Sequence, residues 1–139
     1  MKRTLLGLVV ALACTAAAST NSTTTPTTPT TVTRTTDTYS GTVAVKSSDT
    51  HGFPVTQAGQ VDVTLTVAGP PSTIVMGLAV GTLDASSNCV LVAGATTNTA
   101  AGSSPQLSGI FTAGNICVQV RDIGNATSPV SYTITVLHP

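Results

Sequence analysis

Glutamate and tryptophan are absent from this 139-residue chain, and the aromatics amount to two Tyr and two Phe. Charged residues make up 7%. Each shortage excludes something. With so few aromatics, the core must be built mostly of Val, with Ile and Leu, and no exposed aromatic platform remains for stacking on sugars. Once Lys2 and Arg3 are set aside, Arg34, Lys46 and Arg121 face five Asp, for a net charge of minus two. No basic patch exists, so phosphate-driven nucleic-acid binding is excluded. The longest N-terminal apolar run, Leu5 to Ala13, is too short for a permanent bilayer span.

Reactive constellations are equally scarce. There are two His, His51 and His138. His51 stands beside Asp49 at a turn and reads as a solvated strand start, and His138 reads as a fraying end. No G-x-S-x-G nucleophile elbow occurs, and Cys and His lack zinc-ligand spacing. The five Asp are scattered, without an Asp-x-Asp loop, which disfavours calcium. The glycines fall at strand ends and form no phosphate loop. The sequence therefore indicates no cofactor, no catalytic residues and no metal site.

What is abundant is Thr, Ser, Val, Ala and Gly, a composition of strands and tight turns. Residues 1–18 read as an export signal, a short positive start followed by LLGLVVALA. Two processing routes are open. Ala11-Leu12-Ala13-Cys14 resembles a bacterial lipoprotein signal, with Cys14 as the lipidated first residue. Alternatively, an ordinary cut after Ala16-Ala17-Ala18 removes Cys14. Residues 19–38 hold twelve Thr and two Pro, and one large apolar residue, Val32. Such a segment cannot offset its ordering entropy, so it reads as a disordered stalk or spacer. All four aromatics lie beyond it, which places the domain at 39–139.

Within that domain the apolar period is two. Val61, Val63, Leu65 and Val67 alternate with Asp62, Thr64 and Thr66, and Val130, Tyr132, Ile134 and Val136 alternate with Ser131, Thr133 and Thr135. Ile116, Val118 and Val120 alternate likewise with Cys117 and Gln119. Ile74–Val80 is apolar on both faces and should be a covered central strand. Tyr39–Lys46, His51–Val55, Cys89–Ala93 and Gln106–Thr112 complete about eight strands, and Pro54 puts its strand at an edge. Gly94–Pro105 reads as a small-residue loop. The spacing predicts an all-β, antiparallel sandwich.

In an exported chain, the two cysteines left after Cys14 suggest a Cys89–Cys117 disulfide, the alternative being two buried thiols. Cys117 alternates with core residues, so the bridge should lie on an outer face or edge and join neighbouring strands.

The order SDTHGFPVTQAGQVDVTLTV, GLAVGTLD, LSGIFTAGNICVQVRDIGN and SYTITV resembles the bacterial pre-peptidase C-terminal (PPC-like) domain, here in a stand-alone exported chain. Asp49 and Phe53, Gly59 to Leu65, Gly77 to Asp84, Ala113 to Val120 and Tyr132 to Val136 take the positions of that family's elements. Pro54 and Asn115-Ile116 depart from its pattern. The resemblance implies a jelly-roll-like sandwich that serves substrate or surface binding. The expectation is a non-catalytic module at the cell envelope, lipid-anchored at the outer membrane or cell surface. Its membrane contact would run through the anchor alone, and its partner would be an envelope or extracellular protein or a polysaccharide. A secreted carbohydrate- or protein-binding adhesion module is the alternative, ahead of a small hydrolase or inhibitor.

Overall fold

Alternation of apolar and polar residues drives nearly the whole chain into strands. The computed structural model describes residues 31–139, which form one compact unit. The expected signal, Cys14 and residues 19–30 of the stalk lie outside the described residues. Eight strands follow in order: β1 Thr35–Val43, β2 Ser48–Val55, β3 Gly59–Gly69, β4 Met76–Leu83, β5 Cys89–Thr99, β6 Leu107–Phe111, β7 Gly114–Asp122 and β8 Val130–His138. They make two four-stranded antiparallel sheets, ordered β1-β8-β3-β6 and β2-β7-β4-β5. That interleaving is a jelly roll, in which successive strands cross between layers except at the β4–β5 hairpin.

The core is the sum of the inward positions. Val61, Val63 and Leu65 of β3 and Val130, Tyr132, Ile134 and Val136 of β8 face Met76, Leu78 and Val80 of β4 and Ile116, Val118 and Val120 of β7. β4 is buried along both faces, as expected of a central strand. Its outer positions are the small residues Gly77, Ala79 and Gly81, which lets neighbouring elements lie close on that side. β2, carrying Pro54, is an edge strand, where a missing N–H costs no ladder bond.

Several boundaries differ from expectation. β1 begins at Thr35 and so takes in the last four residues of the expected stalk, because β8 offers partners as far as His138. A Thr-rich segment extends readily when a paired strand is available, and composition alone cannot report that partner. The expected loop over 94–105 is in part strand: Thr96–Thr99 pair with Ala79–Met76. The register shifts between Ala79 and Gly81, and β5 accommodates the shift near Gly94 at φ 82°, a left-handed angle that suits glycine. His138 does not fray; it is buried opposite Thr35.

Polar side chains finish what the ladders leave open. Asp122 accepts the backbone amides of Lys46 (2.8 Å), Gly124 (2.8 Å), Asn125 (3.1 Å) and Ala126 (3.1 Å), fastening the β1–β2 turn to the β7–β8 connection. The Lys46 amide, then the other three, hold its carboxyl below the usual range against the effect of burial. Where β6 stops short, Gln106 replaces a strand: its Oε1 accepts the Leu65 amide at 2.7 Å. Arg34 donates to Asp62 (2.7 Å) and to the Gln60 and Leu137 carbonyls, so the chain is fastened just before β1.

Cys89 and Cys117 form a disulfide, with Cα atoms 5.8 Å apart. Its strands, β5 and β7, are not neighbours as expected. They flank β4, and the bridge crosses the outer face of β4 between positions opposite Leu83 and Gly81. The sequence separation is 28 residues. Loop closure of that length stabilises by roughly 3–4 kcal/mol in the chain-entropy model. The double substitution Cys89→Ala/Cys117→Ala is therefore expected to lower the unfolding free energy by about that amount in a urea titration, with the far-ultraviolet β signature retained.

Candidate functional site

The chemistry-bearing side chains gather along one seam. β1 and β2 are edge strands of opposite sheets and lie side by side. Their inward positions reach the rim of the sandwich, where a side chain is half-buried and can keep a polar end in water. β1 places Asp37 and Tyr39 there, and β2 places Asp49 and His51. β8 contributes Tyr132 and His138 from behind. Both His, both Tyr and two of the five Asp thus meet in one line.

The hydrogen bonds fix the direction of each donor. The Tyr132 hydroxyl donates to Asp49 Oδ2 at 2.6 Å. Its single hydrogen is then used, so at 2.6 Å His51 Nε2 must donate to the Tyr132 oxygen. The Tyr39 ring stacks on His51, with centroids 4.7 Å apart and planes 12° apart. The Tyr39 hydroxyl donates to Asp37 Oδ2 at 3.2 Å, and His138 Nε2 meets the same oxygen at 3.1 Å. Phe53 closes the line against His138 at 4.9 Å. Tyr132, rooted in sheet one, thereby reaches the edge of sheet two. Gly41 makes the passage possible: a Cβ there would lie 2.6 Å from Asp49 Oδ2 and 2.8 Å from the Tyr132 oxygen.

Burial, then the bonded Asp37, pushes the Tyr39 hydroxyl up to about 12. Burial, then the bonded Asp49, pushes Tyr132 well above its ordinary value. Asp62, on the outer face, is pushed up by burial but ends below the usual range, because Gln60, Ser108 and Arg34 all donate to it.

One end of the seam opens into a cleft of about 540 Å³, lined by Thr33, Thr35, Asp37, Pro54, Thr56, Gln57, His138 and Pro139. Its polar groups are hydroxyls, an amide, the Asp37 carboxylate and the His138 imidazole, a set that can hydrogen-bond a neutral polar ligand. The hydrogen-bond partners of the two seam histidines are the Tyr132 hydroxyl, the Asp37 carboxylate and a backbone carbonyl, and not a Ser, Thr or Cys side chain. The strand hydroxyls of the outer face bond one another instead, as in Ser40 with Thr133 at 2.9 Å. Among the described residues, no three His, Cys, Asp or Glu side chains are grouped to hold a metal ion.

The sequence missed this seam. Asp49 and His51 are held by Tyr132 rather than standing as a solvated strand start, and His138 is a member rather than a loose end. Period two places Asp37, Tyr39, Asp49 and His51 on one face of their strands. Only the jelly-roll crossing brings the two strands together. Asp122 did carry a signal: Asp-x-Gly-Asn is a turn in which a short carboxylate caps the following amides. No family model and no curated protein matches the chain.

The seam has an alkaline signature. The unfolded chain ionises its tyrosines near pH 10 and the fold holds them protonated higher, so stability is intact below about 10 and falls as pH rises toward the folded values. With two Tyr and no Trp, absorbance at 295 nm reads them cleanly. The native chain is expected to show no tyrosinate step at pH 10, with ionisation delayed to about 12 or above. Gly41→Ala, which displaces the Tyr132–Asp49 bond, is expected to bring one phenol's step down and to cost about 1–3 kcal/mol.

Proposed function

We propose that this protein is a non-catalytic, exported β-sandwich module, anchored through lipid on Cys14, that acts by surface contact at the bacterial cell envelope. What supports the reading most is the use made of the seam. Asp49, His51 and Tyr132 are engaged in joining one sheet to the other, and the Tyr132 side chain that links them is 2% exposed, held inside the sandwich rather than offered to a substrate. The disulfide fits an oxidising compartment. The clamp at Arg34 gives the Thr/Pro segment a firm attachment point, as a spacer between anchor and domain requires. The resemblance to pre-peptidase C-terminal domains belongs to the same reading and gives the module an accessory role toward an exported partner.

A second reading, a secreted carbohydrate- or protein-binding module, draws on the cleft. Its hydroxyls, Gln57 and Asp37 suit the hydroxyl groups of a polysaccharide. On that reading Asp37→Asn weakens retention on an affinity gel of the matching polysaccharide while leaving the melting temperature within a few degrees.

Labelled fatty acid and fractionation separate the two. The anchored module incorporates the label and partitions with membranes, and Cys14→Ala moves it to the soluble fraction. Membrane association that survives Cys14→Ala, or a mature chain beginning after Ala18, removes the anchor.

A further inference from the structure

The two open sides of the sandwich are finished differently. At the seam, β1 and β2 close on each other through the Tyr39–His51 stack and through Tyr132 of β8, which bonds Asp49 and His51, and Pro54 withholds a donor. The opposite side holds the other two edge strands, β5 and β6. β6 is five residues long, a common way of blunting an edge. β5 is eleven residues long and has neither charge nor proline. No charged residue occurs anywhere between Asp84 and Arg121. The gatekeeping residues that ordinarily keep edge strands apart are missing from this side.

The apolar part of β5 is also its regular part. Cys89, Val90 and Leu91 keep simple register with Leu83, Thr82 and Gly81, and the irregularity comes only afterwards. Val90 is 54% exposed, and Leu91 and Val92 are 40% exposed each. Ile110 of β6 is 76% exposed and shares a cleft of about 380 Å³ with Val92 and Phe111. The disulfide holds Cys89 to β7, so this arm is ordered before any partner arrives. Little further entropy is lost when it pairs.

We infer that the occupant of this edge is a second copy of the chain, paired antiparallel along the Cys89–Val92 arm of β5 about a two-fold axis. Antiparallel ladders alternate donors and acceptors, so a strand is its own complement under that rotation. A like partner is compatible with this composition: a dyad sets the short arm against its own sequence, so any charge in it would meet the same charge close by on the copy, and Cys89–Val92 carries none. The dimer joins the two β2-β7-β4-β5 sheets into one eight-stranded sheet. It places Val90, Leu91 and Val92 of both copies against one another, with Ile110 at the margin. This inference does not depend on the function proposed above.

The test uses the exported chain carrying Cys14→Ala, so that no lipid drives association. Sedimentation equilibrium is expected to give a concentration-dependent dimer. Val90→Lys, at an exposed position, is expected to raise its dissociation constant at least about tenfold without moving the melting temperature of the monomer. In hydrogen exchange on the unsubstituted chain, the amides of Val90 to Val92 should slow with rising concentration. A monomer at every concentration overturns the inference. So does a dimer that ignores Val90→Lys and leaves those amides at their monomer rates. A monomer that instead floats with phosphatidylcholine vesicles assigns the patch to lipid and likewise overturns it.

Discussion

A phenol hydroxyl that starts in one sheet and ends bonded to the other is the contact on which this sandwich closes. Tyr132 is 2% exposed, and the backbone around it is fixed by pairing to β1 and β3. Its oxygen reaches β2, where Asp49 accepts from it and His51 donates to it. Apolar packing holds two sheets about 10 Å apart but tolerates sliding, since Val against Val has no preferred partner. A bond of 2.6 Å to a named carboxylate does not tolerate it. The seam sets the relative position of the sheets, and the valine core fills the space so defined. Gly41 follows from that geometry, because any side chain there would occupy the path of the bond.

The same economy governs the other charges. With no Glu, every carboxylate in the chain is an Asp, and each of the five is committed to a structural bond. Asp37 and Asp49 belong to the seam, and Asp62 receives Arg34 where the chain enters. Asp122 caps four amides, and Asp84 caps those of Ser86 and Asn88 at 2.8 Å each. The short side chain explains the choice. A carboxyl one methylene from the backbone reaches amides two to four residues onward, while Glu overshoots them. The Asn88 amide, followed by its side chain, holds Asp84 below the ordinary carboxylate range, as the Lys46 amide does first for Asp122. The carboxylates of a chain that is 7% charged serve as turn and edge fasteners rather than as a solvating coat.

Readability from sequence follows the range of the interaction. Period-two alternation in β7 and β8 depends only on the next residue but one, and those strands lie where the pattern puts them; in β3 it holds as far as Leu65, after which a register shift turns the expected core residue Val67 out to 54% exposure and buries Ala68 instead. Pro54 at an edge and the double-sided burial of β4 are local statements of the same kind. The Cys89–Cys117 pairing followed from there being two cysteines beyond the expected signal, but its span across β4 needed the sheet order. Thr35–Thr38 and Thr96–Thr99 are strands only because β8 and β4 pair with them, and a Thr run beside no partner reads the same. The seam was hidden for the same reason. Asp49 and His51 lie eighty and more residues from Tyr132, and no local pattern reports a meeting at that distance.

The contrast between the two open sides is the part of the fold that composition does not force. A Thr/Val/Ala chain this poor in charge could have spread its few ions around both rims. Instead Asp37 and Asp49 lie at the β1–β2 rim, while the long span that builds β5 and β6 carries no ion. A domain with a modest core gains little from leaving Val90, Leu91, Val92 and Ile110 in water, since each would contribute more if covered. Surface apolar residues scattered singly need no explanation, but three consecutive ones, Val90, Leu91 and Val92, on an unprotected edge, stapled in place by the disulfide that fixes Cys89, form a template. The seam makes one rim a finished boundary. On the other rim the backbone of β5 still has a strand's worth of pairing to offer.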